Sequence, residues 1–266
     1  MSRSKFEAAF AAGGRPLGAF VMSSDPAMTA IFGEVGYDFV VADMEHGRVD
    51  MTNLLNHIYA ARASGAAPLV RVPANEPSII QRSLDSGASG IVVPKVSRAD
   101  DARSAVAASR YAPGGRGKCP IVPATGFTRA NWDDFEARSN NDIIVMPIIE
   151  TARAVAEISE ICAVDGIDYV FFGHADLGQD VGMTPASHPE EFRAMWERVR
   201  AATTRHGVKL GAPYQSSFDN EADFATIATD VGSVRDLAES MLSSARTVSE
   251  AGIEPFVAGR GGLSGL

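Results

Sequence analysis

The segment DIIVMPIIETARAVAEISEICAVDGIDYVFFG (142–173) contains the pattern that decides the fold. It begins with a continuous apolar run that ends in Glu150, continues with a stretch of helical pattern, and closes with a second apolar run over 168–173. Continuous β-branched and apolar runs are typical of strands covered on both faces, and a helix between two of them is typical of a parallel βαβ unit. The segment therefore predicts two parallel strands joined by a helix.

The same unit recurs along the rest of the chain. Further candidate strands lie at 17–22, 38–43, 68–72, 90–94, 208–213 and 223–229, which brings the total to eight. Helical patterns such as EPSIIQRSLDSG (76–87) separate them, and no GxGxxG motif follows the first strand, as an open dinucleotide-binding sheet would require. Eight such units in 266 residues predict an α/β fold, a (β/α)8 TIM barrel.

We expect one barrel domain over residues 1–249, followed by a Gly-rich tail over 250–266. The Gly- and Pro-rich stretch YAPGGRGKCPIVPATGFTR (111–129) interrupts the pattern between the fourth and fifth strands. Long connections without regular structure are often functional, so this stretch is predicted to lie at the rim of the active site.

Charge and composition limit the partners. The 24 basic and 33 acidic residues give a net charge of −9, which disfavours nucleic acid and anionic membranes as partners. No apolar run approaches the 18 residues of a membrane span, and the N-terminus has no apolar core of signal-peptide length. The two cysteines, Cys119 and Cys162, have no metal-ligand spacing. A cytoplasmic protein with no membrane partner is expected.

Charged residues follow four of the predicted strands. Asp43 ends the second strand and His46 lies three residues later, Arg71 lies in the third, Glu150 ends the fifth, and Asp176 follows the sixth. Unpaired charges are rare in apolar runs because their burial is costly. Catalytic residues of a TIM barrel lie at the carboxyl ends of its strands. These side chains therefore predict a polar site at one mouth of the barrel.

The residue types suggest a metal site. Glu150 and Asp176, on adjacent strands, are the oxygen ligands expected for a hard cation such as Mg²⁺ or Mn²⁺, with Co²⁺ as a further candidate. Asp176 alone would equally suit a helix N-cap. The N–H groups of the helix start at 173–176 would bind a small carboxylate. Such a metal would chelate a 2-oxo acid, acidify the adjacent C–H and hold the enolate.

Three further residues are assigned to proton transfer and charge stabilisation. The spacing of Asp43 and His46 lets the carboxylate orient the imidazole as a general base. The Arg71 guanidinium is interpreted as a bidentate donor that binds a substrate oxygen or oxyanion, with a structural ion pair as the alternative.

Several separated segments carry a resemblance to a known family. These are YDFVVADMEHG (37–47), PLVRVPANEPSIIQRSLDSGASGIVVP (68–94), IIETARAVAEISEICAVDGIDYVFFGHADLG (148–178) and GSVRDLAESML (232–242). In this order, over roughly residues 5–245, the chain resembles the HpcH/HpaI aldolases, which are metal-dependent pyruvate aldolases. The resemblance implies a barrel whose last helix is exchanged between subunits, in a homo-oligomer, commonly a hexamer built as a trimer of dimers.

The resemblance also implies site roles. Glu150 and Asp176 would be the metal ligands, and His46 the base, partnered by Asp43. Arg71 would contact the ketone or enolate oxygen. The backbone from Gly173 to Ala175 and Asp176 would hold the pyruvate carboxylate. Asp85 matches an acidic residue that reaches the histidine of a neighbouring subunit, although an acidic residue near a helix end needs no such role.

The chain departs from the usual family pattern around this centre. Ile148 stands where many members have Gln, and His174 and Gly178 replace Pro and Ser in the motif after the sixth strand. These departures concern the pocket and the identity of the aldehyde, not the metal ligands.

The sequence thus favours a class II aldolase that cleaves a 4-hydroxy-2-oxo acid to pyruvate, or a pyruvate analogue, and an aldehyde through a metal-bound enolate. The alternative is a citrate-synthase-like transferase that condenses an acyl thioester with a 2-oxo acid, which a coenzyme-sized groove beside Arg116, Arg129 and the 111–129 loop would favour. A third hypothesis is an inactive barrel used for ligand binding or assembly.

Overall fold

The eight predicted strands form a closed parallel barrel in sequence order. The structure is a computed structural model that describes residues 3–129, 131–213 and 218–251. Each predicted segment contains one strand, so the (β/α)8 prediction is confirmed. The strands are β1 (Leu17–Val21), β2 (Phe39–Asp43), β3 (Ala67–Arg71), β4 (Gly90–Val93), β5 (Ile144–Ile149), β6 (Tyr169–Phe172), β7 (Lys209–Pro213) and β8 (Phe224–Thr229).

Helices cover the outside of the barrel. They are α1 (Arg3–Ala11), α2 (Pro26–Glu34), α3 (Leu54–Ser64), α4 (Pro77–Asp85), α5 (Ala99–Ser109), α6 (Trp132–Asp142), α7 (Ala152–Ala156), α8 (Ile158–Cys162), α9 (His174–Val181), α10 (Pro189–His206) and α11 (Asp230–Ala251). Proline at the first position of α2, α4 and α10 suits a helix start, where its missing N–H has no intrahelical partner. Within the described ranges, no helix is both long and apolar enough to cross a membrane.

The expected C-terminal tail lies mostly outside the described residues. Helix α11 extends to Ala251, so the predicted boundary between 249 and 250 falls inside this helix. Residues 252–266 are not among the described ones.

An aromatic cluster closes the N-terminal mouth of the barrel. Phe6 of α1 is fully buried, and its ring centroid lies 5.0 Å from that of Phe39, 5.1 Å from Tyr169 and 5.4 Å from Phe224. These three partners occupy the first residues of β2, β6 and β8. The open mouth of the barrel is therefore the one at the carboxyl ends of the strands.

The 111–129 segment lies at the closed mouth of its own barrel, so within one chain it does not reach the strand ends where the prediction placed it. It connects the end of α5 to α6 and the start of β5, and both ends of that connection belong to the N-terminal side of a parallel barrel. Asn140 of α6 holds it through Tyr111, whose N–H donates to Oδ1 at 2.7 Å and whose carbonyl accepts from Nδ2 at 3.0 Å.

Candidate active site

A bidentate ion pair joins the ends of β2 and β3. Asp43 and Arg71 are register partners in the sheet. Arg71 donates from Nε to Oδ1 of Asp43 at 2.8 Å and from Nη2 to Oδ2 at 2.5 Å, and the carboxylate has no exposed surface. Charge-assisted bonds with this fork geometry are what allow a carboxylate to be buried. The pair fixes Arg71 and leaves its Nη1 atom directed elsewhere.

Asp43 also shapes the turn that follows β2. Its Oδ1 atom accepts hydrogen bonds from the backbone N–H groups of Glu45 at 3.0 Å and His46 at 3.2 Å. The carboxylate thus orients His46 through the main chain, whereas the sequence predicted contact with the imidazole. The reason is the register, which places Arg71 against both carboxylate oxygens.

The carboxylate beside the imidazole belongs to Glu45, which the sequence reasoning did not single out. Its Oε2 atom lies 3.8 Å from His46 Nε2 and 3.6 Å from Arg71 Nη1, and its Oε1 atom lies 3.9 Å from Lys95 Nζ. The side chain is 9% exposed, and its burial raises the pKa of Glu45 above the ordinary range. Its place inside DMEH (43–46) was the available signal.

Glu150 is buried at the end of β5 and held by a backbone N–H. Its Oε1 atom accepts a hydrogen bond from the Lys95 N–H at 2.6 Å. The pKa of Glu150 is raised to about 7, mainly by burial and also by the carboxylates of Asp176 and Glu45, although the Lys95 hydrogen bond and Arg71 lower it. Lys95 reaches this position with a φ of 57°, in the left-handed region that side chains disfavour. The hydrogen bond from the Lys95 N–H to Glu150 could not be predicted from the residue type at position 95.

Gly173 makes room for the Glu150 carboxylate. A Cβ atom at Gly173 would lie 2.9 Å from the Glu150 Cβ and 3.1 Å from its Oε2 atom. Helix α9 begins at the next residue, and Asp176 lies half-buried in its first turn. The N–H groups of a first helical turn have no intrahelical acceptor, so those of Ala175 and Asp176 are available to an anion.

The donor set fits a divalent cation. Asp43 is neutralised by Arg71, whereas the Asp176 carboxylate contributes to the raised pKa of Glu150, and the buried Glu45 Oε2 atom has no hydrogen-bond partner among the described residues. In the described part of the chain no group of three or more His, Cys, Asp or Glu side chains could hold a metal. Two carboxylates with water and substrate oxygens are a usual environment for Mg²⁺.

Asp85 lies far from His46 in the same chain. It is the last residue of α4, which runs back to the N-terminal mouth, and it accepts from Arg116 Nε at 3.0 Å and Nη2 at 2.5 Å. A five-residue strand spans about 16 Å, and the two residues lie at its opposite ends. A role for Asp85 at His46 would therefore require a second subunit.

The large cavity near Arg116 also lies at the closed mouth. It has a volume of about 680 Å³ and is lined by Arg62, Arg116 and Arg138 together with the first residues of β3. The coenzyme-sized groove considered from the sequence is therefore separated from Glu150 by the length of the barrel. His174, the departure in the α9 motif, is half-buried, and its Nδ1 atom has no hydrogen-bond partner in the part described.

Comparisons with known proteins agree with this architecture. The chain is 36% identical over 245 residues to 5-keto-4-deoxy-D-glucarate aldolase of Klebsiella pneumoniae subsp. pneumoniae, covering 89% of this chain and 94% of the relative. It is 33% identical to 2-dehydro-3,6-dideoxy-6-sulfogluconate aldolase of Pseudomonas putida, covering 85% and 91%. Among solved structures, the citrate synthase SbnG superposes with a TM-score of 0.82 at 26% identity, covering 92% of this chain and 98% of that one.

The family profile described as HpcH/HpaI aldolase/citrate lyase matches residues 17–237, from the first residue of β1 into α11. This range includes all eight strands of the barrel and the charged side chains described above at its open mouth. The chain belongs to the HpcH/HpaI aldolase/citrate lyase family.

Proposed function

We propose that this protein is a divalent-metal-dependent class II aldolase that cleaves a 4-hydroxy-2-oxo acid to pyruvate, or a pyruvate analogue, and an aldehyde. The observation that carries the proposal is the convergence of Glu150 and Asp176 with Arg71 and the first turn of α9 at the open mouth. Two carboxylates, a guanidinium and an anion-binding helix start are the groups that binding and ionising a 2-oxo acid requires.

Glu150 and Asp176 would hold Mg²⁺ or Mn²⁺, with Co²⁺ as a further candidate. When bound, the cation supplies a Lewis acid that polarises the 2-oxo acid. The backbone N–H groups of Ala175 and Asp176, next to Gly173, bind the substrate carboxylate. Arg71, fixed by Asp43, donates to the substrate's ketone oxygen and stabilises the charge that develops on it in the enolate.

His46 moves the proton. Its side chain is 52% exposed at the mouth, beside the Glu45 carboxylate. It takes the proton of the 4-hydroxyl group, directly or through a water, as the C3–C4 bond breaks and its electron pair forms the enolate. The aldehyde leaves, and His46 gives its proton to C3 of the enolate, directly or through a water, to form pyruvate.

The proposal is tested by the exchange of pyruvate methyl protons in deuterium oxide, followed by NMR. We expect exchange that requires Mg²⁺ or Mn²⁺ and is abolished by Glu150→Ala or Asp176→Ala. His46→Ala is expected to slow exchange greatly. Exchange that persists unchanged after removal of the metal by a chelator would refute the mechanism, and exchange unaffected by His46→Ala would assign the base elsewhere.

The names of the two relatives indicate the substrate class to examine first. Glucarate has a carboxylate at each end, and 6-sulfogluconate has a carboxylate and a sulfonate. We extend this to the present chain and propose an open-chain sugar acid as its substrate, with small molecules as its partners and no nucleic-acid or membrane partner.

The likeness to a citrate synthase supports the transferase as a second candidate. Its acyl thioester would need a coenzyme-sized pocket near the metal ligands, whereas the 680 Å³ cavity lies at the other mouth. Pyruvate proton exchange without turnover of any aldehyde, together with citrate formation from an acyl thioester and oxaloacetate, would favour the transferase.

We further propose that α11 packs against another copy of the chain, in a homo-oligomer such as a trimer of dimers. The helix exposes a stripe of large apolar side chains at helical spacing, each about half exposed: Val231, Val234, Leu237, Met241 and Leu242. Leu237→Asp is expected to dissociate the assembly in light-scattering measurements, whereas Glu239→Gln on the same helix should not. A monomeric wild-type protein would refute this assignment. In such an assembly Asp85 of one subunit becomes a candidate partner for the His46 of another.

A further inference from the structure

Lys95 contacts two carboxylates of the open mouth, Glu150 through its backbone N–H and Glu45 through its side chain. It follows Pro94 after β4, and its N–H donates to Glu150 Oε1 at 2.6 Å. Because this bond fixes the main chain in its left-handed conformation, the direction in which the side chain leaves the backbone is also fixed. The side chain therefore starts inside the mouth.

The Lys95 ammonium lies over the mouth, and its N–H groups are not used in hydrogen bonds to the described part of the chain. Its Nζ atom is 3.9 Å from Glu45 Oε1, too long for a hydrogen bond, and the side chain is 75% exposed. An ammonium has three donors, and none of them has a hydrogen-bond acceptor in the described part of the chain. Glu45 keeps the charge near the site, and the donors remain available to a ligand.

No step of the proposed reaction uses the Lys95 ammonium. Asp43 pairs with Arg71, and in the proposed reaction the first turn of α9 binds the carboxylate of the 2-oxo acid. A neutral aldehyde would gain nothing from a further positive charge at the rim. An aldehyde that carries an acidic group would be attracted to it, and because the Lys95 side chain is 75% exposed this attraction is weakened by added salt.

We propose that Lys95 is a specificity-determining residue that binds an anionic oxygen-bearing group, a carboxylate or a sulfonate, at the end of the aldehyde fragment remote from its carbonyl. The inference rests on the proposed aldolase function and names the substrate class of that same site. The Lys95 side chain acts on the outer part of the substrate, whereas its backbone N–H positions Glu150.

The test compares two acceptors of equal chain length, succinic semialdehyde and butanal, in condensation with pyruvate. Lys95→Met keeps the length and the left-handed strain of the side chain but removes its charge. We expect it to lower the ratio of kcat/KM for succinic semialdehyde over butanal by about tenfold, mainly through KM. Lys95→Arg should restore most of the ratio. Lys209→Met, at the closed mouth beside Asp223, should leave the ratio at its wild-type value.

Pyruvate proton exchange distinguishes the possible failures. If Lys95→Met leaves exchange intact and the acceptor ratio unchanged, this inference is overturned while the aldolase function stands. If Lys95→Met lowers turnover of both acceptors alike, its role is the support of Glu150, and the inference is again overturned. Absence of exchange in the wild-type protein would overturn the aldolase function and this inference with it. Added salt should reduce the ratio in the wild-type protein and not in Lys95→Met.

Discussion

Replacing Arg71 by Lys keeps the positive charge but removes the bidentate guanidinium, and the contacts of Arg71 allow the loss of stability to be estimated. Arg71 makes two hydrogen bonds to a fully buried Asp43 carboxylate, at 2.8 and 2.5 Å, and is itself 14% exposed. The lysine ammonium lacks the two parallel N–H groups of a guanidinium and can replace only one of these bonds. Loss of one charge-assisted bond to a buried carboxylate costs about 1.5–3 kcal/mol. We expect the free energy of unfolding to fall by about 2 kcal/mol.

Urea unfolding measures this change as a lower midpoint at an unchanged slope. The activity should fall further, because Arg71 also supplies the Nη1 donor near the mouth, and loss of a donor to a developing oxyanion costs about 10²–10³ in rate. Proton exchange of pyruvate should therefore slow by about 100-fold. The matched control is Arg153→Lys, in an exposed pair with Glu157, with an expected change under about 0.5 kcal/mol.

A double-mutant cycle with Asp43→Asn isolates the pair. If the fork accounts for the effect, the two substitutions should couple by about 2 kcal/mol. Near wild-type turnover and stability in Arg71→Lys, or a coupling energy close to zero, would refute the reasoning.

Three further predictions follow from individual contacts. The pKa of Glu150 is about 7 in the folded chain against an ordinary 4.5, so its protonated form stabilises the fold below pH 4.5 and this stabilisation is lost as the pH rises through 7. In the presence of a chelator, urea unfolding should therefore show Glu150→Gln becoming more stable relative to wild type between pH 5 and pH 8. A stability difference that stays constant over this range would contradict the prediction. Lys95→Gly should be about 1 kcal/mol more stable than Lys95→Ala, since glycine adopts a φ of 57° without strain. Equal unfolding midpoints for the two variants would show that the backbone at position 95 is not strained. Phe6→Ala should cost about 3–5 kcal/mol of unfolding free energy, and a cost under about 1 kcal/mol would show that the aromatic cluster does not hold the closed mouth.

The sequence allowed the barrel to be predicted because its strands are buried on both faces. The run FVVAD (39–43) is buried at every position, as are the residues of β4, β5 and β6, so composition alone distinguishes these strands from the helices. The 111–129 segment was expected beside the strand ends of its own chain because its length suggested function, and in the structure it lies at the opposite mouth. Its connection from a helix to the next strand, already readable in the sequence, assigns it to the closed mouth.

The candidate site could be predicted only where side chains follow strand ends. Glu150 and Arg71 were found in this way, and the structure places both at the open mouth. The partners of Asp43 depend on the register between β2 and β3, which no local pattern reveals. Lys95 acts through its N–H and an unusual φ, so its residue type gives no signal of that contact.

The contact between Phe6 and Phe224 has a consequence for synthesis on the ribosome. The two rings lie 5.4 Å apart but are separated by 218 positions in the chain. The first helix therefore reaches its burial site only after the last strand has been translated, a delay of roughly 10 to 45 s at the usual elongation rates of about 5–20 residues per second. During this time the aromatic face of α1 remains available to chaperones, and a chain stalled before β8 keeps it exposed.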